Sequence, residues 1–105
     1  MFRREIALEL ISCRENGSEL GELYFEPAKR GGTYITVMLS GMEDIKSECC
    51  LCMKGEQIIF LPLPSPCQGK IELCLWSSIE MASVKEYEVS ICDKNRRITY
   101  LRARK

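Results

Sequence analysis

Cysteine is the residue type with the most distinctive chemistry in this 105-residue chain, which contains seven of them. The run Cys49-Cys50-Leu51-Cys52 includes a C-x-x-C spacing, which is half of many zinc sites and the core of many thiol redox motifs. The pair lies within a segment of strand-like alternation, where residues three apart point to opposite faces. A metal or redox site centred on Cys49 and Cys52 is therefore an alternative hypothesis only, and we expect no metal ligands and no cofactor.

The other cysteines are isolated from one another, so no second half-site is visible. A tetrahedral set of Cys49, Cys52, Cys67 and Cys74 remains geometrically conceivable. The odd cysteine count and the lack of an apolar leader predict a cytoplasmic chain with reduced thiols. Most of the cysteines are interpreted as small apolar side chains.

Histidine is absent, and this removes the commonest general base and the commonest neutral metal ligand. Ser-His-Asp and Cys-His arrangements are thereby excluded. The chain also has no phosphate-binding glycine loop, dinucleotide fingerprint or calcium loop. We therefore expect a protein that is not an enzyme.

The elements that must position any site are strands. Apolar and polar residues alternate most clearly between Gly31 and Gly41, and glycine, asparagine and proline separate similar segments at intervals of about 8 to 12 residues. Seven or eight strands are predicted, from segments at 5–13, 20–26, 31–41, 45–54, 58–61, 70–77, 87–91 and 97–102. Ser77-x-x-Glu80 has the form of a capping box and predicts one helical turn at 78–83.

This pattern predicts a single all-β domain over residues 1–105. An antiparallel β-sandwich is the first expectation, because the proline-rich segment 62–69 is interpreted as a crossover between two sheets. The alternative is a small closed or OB-like β-barrel, which consecutive hairpins would also build.

Several large side chains fall on the outward face of their predicted strands. A contiguous apolar surface of this kind often marks an interface. The interface candidates are Tyr24, Tyr34, Met38 and Trp76. The primary functional hypothesis is a non-catalytic intracellular binding or assembly module, which engages a protein partner or its own copy through a sheet face or edge strand.

Charge is unevenly distributed although the net charge is zero. Residues 93–105 contain six basic side chains and one acid, which is compatible with single-stranded nucleic-acid binding. The candidates for such binding are Arg96, Arg97, Tyr100 and Arg102. The same pattern is explained by a charged edge strand that discourages aggregation, and this interpretation is favoured. Nucleic acid is therefore only an alternative partner. No apolar span approaches the ~20 residues that cross a bilayer, and no membrane association is expected.

Overall fold

A computed structural model describes residues 5–104 of the chain. It contains eight strands and one 3₁₀ helix, which spans Met81–Glu86. The strands are β1 (Ile6–Ser12), β2 (Leu20–Pro27), β3 (Thr33–Ser40), β4 (Cys49–Lys54), β5 (Ile58–Leu63), β6 (Ile71–Ser77), β7 (Glu88–Asp93) and β8 (Thr99–Ala103).

The strands form one sheet in the order β5-β4-β7-β8-β1-β2-β3-β6, and every neighbouring pair is antiparallel. The sheet curls into a nearly closed barrel, so the all-β prediction is confirmed and the barrel alternative describes the architecture better than the sandwich. The terminal strands β5 and β6 do not pair with each other within residues 5–104. We call the gap between them the seam.

The proline-rich segment does not carry the chain from one sheet to another, as the sandwich hypothesis required. It joins β5 to β6, the two edges of the same sheet. Pro62 lies inside β5, opposite Cys50 of β4. An edge strand tolerates a proline because the missing N–H can face away from the ladder.

The inward side chains of the strands form the core. Ile35, Val37 and Leu39 of β3 are buried at 0 to 2% exposure, and Leu23 and Phe25 of β2 lie opposite Val37 and Ile35. Burying each side chain of this size contributes about 1.5–3 kcal/mol. The alternation seen between Gly31 and Gly41 is therefore the inside–outside alternation of a barrel strand.

Two local predictions need correction. The helical turn begins at Met81 rather than Ser78, because the Ser77 hydroxyl accepts a bond from the Ile79 amide and the Glu80 carboxylate accepts one from Gly32, so neither caps the helix. The sequence favours Asn95 for the left-handed position of the β7–β8 turn, since asparagine tolerates that conformation, but the residue that adopts it is Arg96, with φ of 59°.

An ion-pair network around the buried Glu19 carboxylate links the β1–β2 hairpin to Asp44. Arg14 bonds the fully buried Glu19 through Nε, and its Nη1 and Nη2 donate to Asp44 at 2.8 and 3.1 Å. Burial raises the pKa of the Glu19 carboxyl, but the hydrogen bonds from Arg14, from its own backbone and from Ser12, together with the Arg14 charge, outweigh burial, and the net pKa is lowered. Glu19 is therefore held in its charged form.

Within the described range, residues 5–104, no helix has the length and apolar character that crossing a membrane requires.

Candidate functional site

The outer surface of β3 and β6 carries three of the four predicted interface residues. Tyr34, Met38 and Trp76 are 48, 44 and 53% exposed. Tyr34 lies directly opposite Trp76, and cross-strand partners share a face of the sheet. We call these three side chains the aromatic face.

Trp76 is held in place although half of it is exposed. Its indole Nε1–H donates to the Gly31 carbonyl at 3.1 Å. Gly32 has φ of 79°, and a Cβ there would come within 2.8 Å of the Trp76 ring and would overlap the Ser77 carbonyl oxygen. Gly32 is thus the residue of the β2–β3 turn that allows the ring to lie against the backbone.

Tyr24, the fourth predicted interface residue, is less available than the other three. It lies next to this surface on β2, opposite Thr36, and is only partly exposed. Its hydroxyl donates to the Glu22 carboxylate, and that bond raises the pKa of Tyr24. Tyr24 therefore borders the aromatic face with its hydrogen-bond donor already engaged.

Acidic side chains border the same surface. Glu22 and Glu72 lie on either side of Met38 in one cross-strand row, and Glu9 extends this row onto β1. A shallow groove of about 300 Å³ runs along the row, and Lys70 is the basic side chain in its lining. The field at this surface therefore favours a cationic or basic partner.

Exposed apolar side chains concentrate around the seam. Residues 5–104 contain seven exposed large hydrophobic side chains, and five of them lie on β5, β3 or β6. Four inward side chains of the two edge strands are also only partly buried, whereas Leu63 of β5, Ile71 of β6 and the inward side chains of β3 are buried. These partly buried residues are Ile59, Leu61, Leu73 and Leu75.

A second opening exists where β8 ends beside β1, and there Ile6 and Leu8 are partly buried. Within residues 5–104, none of the exposed large hydrophobic side chains lies on β1 or β8. The seam therefore combines free edges with apolar surface in a way that the second opening does not.

The predicted nucleic-acid residues do not form a stacking surface. Tyr100 is buried at 8% exposure, and the Arg14 guanidinium lies 5.5 Å from its ring centre, so the ring cannot stack on a base. The Arg96 guanidinium lies 4.3 Å from the ring centre of Phe60. Arg97 is in the β7–β8 turn, and Arg102 is exposed on β8 opposite Ser90.

The predicted C-x-x-C pair is separated by the sheet. Cys49 is buried in the main core, whereas Cys52 belongs to a separate cluster on the outward face of β4. Cys67 and Cys74 are exposed, at the β5–β6 connection and on β6. The tetrahedral set of Cys49, Cys52, Cys67 and Cys74 is therefore wrong.

A different group of cysteines does come together. Cys50 and Cys52 on β4 and Cys92 on β7 place their sulfurs within 4.8 Å of one another, and all three are at most 5% exposed. We call this group the thiol cluster. The alternation of β4 indicates that Cys50 and Cys52 share a face, but nothing local to Cys92 indicates that it joins them.

No protein-family model, curated protein or solved structure gives a significant match to this chain. The function of this chain is therefore inferred from the geometry of the aromatic face, the seam and the thiol cluster.

Proposed function

We propose that this chain is a non-catalytic protein-interaction module that binds an extended segment of a partner protein along the free edge of β6. The observation that carries the proposal is the concentration of exposed apolar side chains on β5 and β6, which border the seam, and on β3 beside β6. A free strand edge offers unpaired N–H and C=O groups to an added strand, and neighbouring side chains provide specificity.

The two edges differ in their capacity to pair. β5 contains Pro62, which has no N–H to donate, and a proline on an edge discourages strand addition. β6 (Ile71–Ser77) contains no proline. A full ladder of hydrogen bonds can therefore form on β6 and not on β5.

The chemistry of the surface defines the partner. Trp76 and Tyr34 provide large, anchored apolar surface beside the β6 edge, and tryptophan and tyrosine are common binding anchors. Glu72 and Glu22 make the neighbouring row acidic. The expected segment is an extended strand with apolar side chains that face Trp76 and basic side chains that face the glutamates.

A displayed library of random peptides provides the test. We expect the selected peptides to be apolar and basic, and to slow hydrogen exchange at amides of β6. Trp76→Asp should abolish their binding. Ile98→Asp is the matched control, because Ile98 is 51% exposed in the remote β7–β8 turn and should leave binding unchanged. Peptides that bind Trp76→Asp equally well, or that protect β8 instead, would refute the proposal.

A second copy of the chain is the competing occupant of the β6 edge. Native mass spectrometry over a concentration series distinguishes the two cases. A dimer fraction that increases with protein concentration and disappears in Trp76→Asp would show that a second copy, and not a foreign partner, occupies the β6 edge. A monomer that binds the selected peptides supports the proposal.

A further inference from the structure

The thiol cluster occupies an unusual position for cysteines that only fill space. Cys50 and Cys52 point outward from β4, opposite to the core residues Cys49, Leu51 and Met53. The three sulfurs contact one another in a cluster separate from the main core. A small apolar side chain normally packs among aliphatic groups, so the grouping of three sulfurs needs another explanation.

The register of the strands explains how the three sulfurs meet. Cys50 lies directly opposite Cys92 on the neighbouring strand, and Cys52 lies opposite Ser90, two residues away on the same face. Cross-strand and diagonal neighbours on one face are close enough for side-chain contact. A C-x-C pair on one strand and a single cysteine on the next therefore produce a triangle of sulfurs.

A shared metal ion requires the Cys52 and Cys92 sulfurs, which are in disulfide contact, to move apart once the bond between them is reduced. An ion about 2.3 Å from each sulfur places the sulfurs about 3.8 Å apart in tetrahedral geometry and about 4.0 Å apart in trigonal geometry. The three sulfurs lie within 4.8 Å of one another. Their contacts to backbone carbonyls, at 3.7 to 4.0 Å, are weak and do not commit the sulfurs elsewhere.

We propose that Cys50, Cys52 and Cys92 form a binding site for one thiophilic d¹⁰ cation, Zn²⁺ or Cu⁺, coordinated by three thiolates. Soft thiolate ligands select these ions among the biologically common metals. Within residues 5–104 no carboxylate joins the group, so a fourth ligand would come from solvent or a small molecule.

The surroundings of the cluster supply cover and positive charge. Phe60 lies directly opposite Cys52 on the same outward face, and the Arg96 guanidinium stacks on Phe60. Three thiolates and Zn²⁺ together carry one negative charge, which the Arg96 guanidinium balances. Three thiolates and Cu⁺ carry two negative charges, but Cu⁺ is stable with only three ligands.

Two of the same sulfurs can be occupied in another way. Cys52 and Cys92 are in disulfide contact, with their Cα atoms 7.0 Å apart. This separation is just beyond the usual disulfide range of about 4.4–6.8 Å, whereas an ion between the sulfurs tolerates it. A disulfide and a bound ion exclude each other, so the proposed site belongs to the reduced protein.

The test uses the full chain, reduced, freed of metal with a chelator and kept anaerobic. ZnCl₂ and a buffered Cu⁺ complex are titrated separately. Native mass spectrometry should show one ion per chain, and release of thiol protons should accompany binding. Binding of either cation supports the site and identifies its ion. Binding of neither by the reduced chain overturns the proposal.

Two sets of variants locate the ion. Cys92→Ser should weaken binding by more than the ~10–100-fold that loss of an outer-shell partner causes. Simultaneous replacement of the exposed Cys13, Cys67 and Cys74 by serine should leave binding unchanged, since these side chains lie at the surface and their loss should not affect folding.

The triple variant keeps the test decisive if Cys92→Ser fails to fold. Loss of the ion in the triple variant would assign binding to surface thiols and overturn the proposal. Full retention of the ion in a folded Cys92→Ser or Cys92→Ala chain, checked by circular dichroism, would do the same.

Discussion

The thiol cluster and the aromatic face lie on either side of the seam, and one is buried whereas the other is exposed. Both consist of side chains that point outward from their strands. Cys50, Cys52 and Cys92 are at most 5% exposed, whereas Tyr34, Met38 and Trp76 are 44 to 53% exposed. Outward direction on a barrel strand therefore does not determine whether a side chain meets water.

The neighbouring side chains account for the difference. Phe60 of β5 and Arg96 of the β7–β8 turn lie over the small thiols, so a second, small cluster forms outside the barrel. The aromatic face lies beside the seam, where β6 has no further strand as neighbour. A covered patch can hold a small ligand, and an uncovered patch beside a free edge can hold a chain.

The sharpest test of this comparison inserts the same charge on both surfaces. Cys52→Asp places an unpaired carboxylate in a buried site and should lower the free energy of unfolding by about 3–5 kcal/mol. Trp76→Asp should cost about 1 kcal/mol, because the new carboxylate stays in water. Urea denaturation at pH 7 measures both. Equal costs would show that the two surfaces do not differ in burial.

Substitution of the glycines at the β2–β3 turn, next to Trp76, should lower the free energy of unfolding by less than Cys52→Asp does. Gly32→Ala should destabilise the chain by about 2 kcal/mol and should change the Trp76 fluorescence, because the new methyl group meets the Ser77 carbonyl and the indole. Gly31→Ala is the matched control, since Gly31 also has a positive φ but has its nearest neighbouring atom at 3.6 Å. It should cost about 1 kcal/mol and leave the fluorescence unchanged.

Removal of the Phe60 side chain should expose the thiol cluster to solvent, as the aromatic face already is. In the reduced, metal-free chain, Cys13, Cys67 and Cys74 should react rapidly with a thiol reagent, because these are the exposed cysteines. Phe60→Ala should raise the labelling rate of Cys52 by about tenfold, which corresponds to about 1.4 kcal/mol of lost protection. Tyr34→Ala, a truncation of similar size on the aromatic face, should leave that rate unchanged.

The smallest expected effect is a loss of stability at alkaline pH. Burial raises the pKa of the Cys49 thiol to about 11, and it also raises the pKa of Cys50 above the ordinary 9.0, although Arg96 opposes the latter shift. The unfolded chain therefore loses these protons first, and stability should fall as pH rises from 9 toward 11. Over this pH range the urea midpoint should fall less steeply with pH in Cys49→Ala than in Cys74→Ala, the control at an exposed cysteine. Identical slopes would contradict the assignment.

The sequence predicted the strands well because alternation is a local property. Thr33–Ser40 shows this most clearly, since its inward and outward residues could be assigned before any neighbour was known. The error at β4, which begins at Cys49 rather than 45, has the same origin: residues 45–48 contain no breaker, so local pattern could not end the extended segment.

The candidate sites were predicted only in part. The outward positions of Tyr34, Met38 and Trp76 were predicted because they follow from simple alternation, and the register places the three side chains together. Tyr100 was expected to be available for stacking, but the irregular pairing of β7 with β8 at Ile91 and Cys92 accompanies a buried ring covered by Arg14. Such a bulge depends on two strands and leaves no signal in either one alone.

The sequence alone determined an all-β chain, the inward or outward direction of most strand residues, and the separation of Cys49 from Cys52. These properties follow from the two-residue period of an extended backbone. Only the tertiary structure decided the order of the strands, the seam between β5 and β6, and the meeting of Cys92 with Cys50 and Cys52. Pairing between distant strands joins residues some 40 positions apart, and no periodicity within either strand specifies its partner.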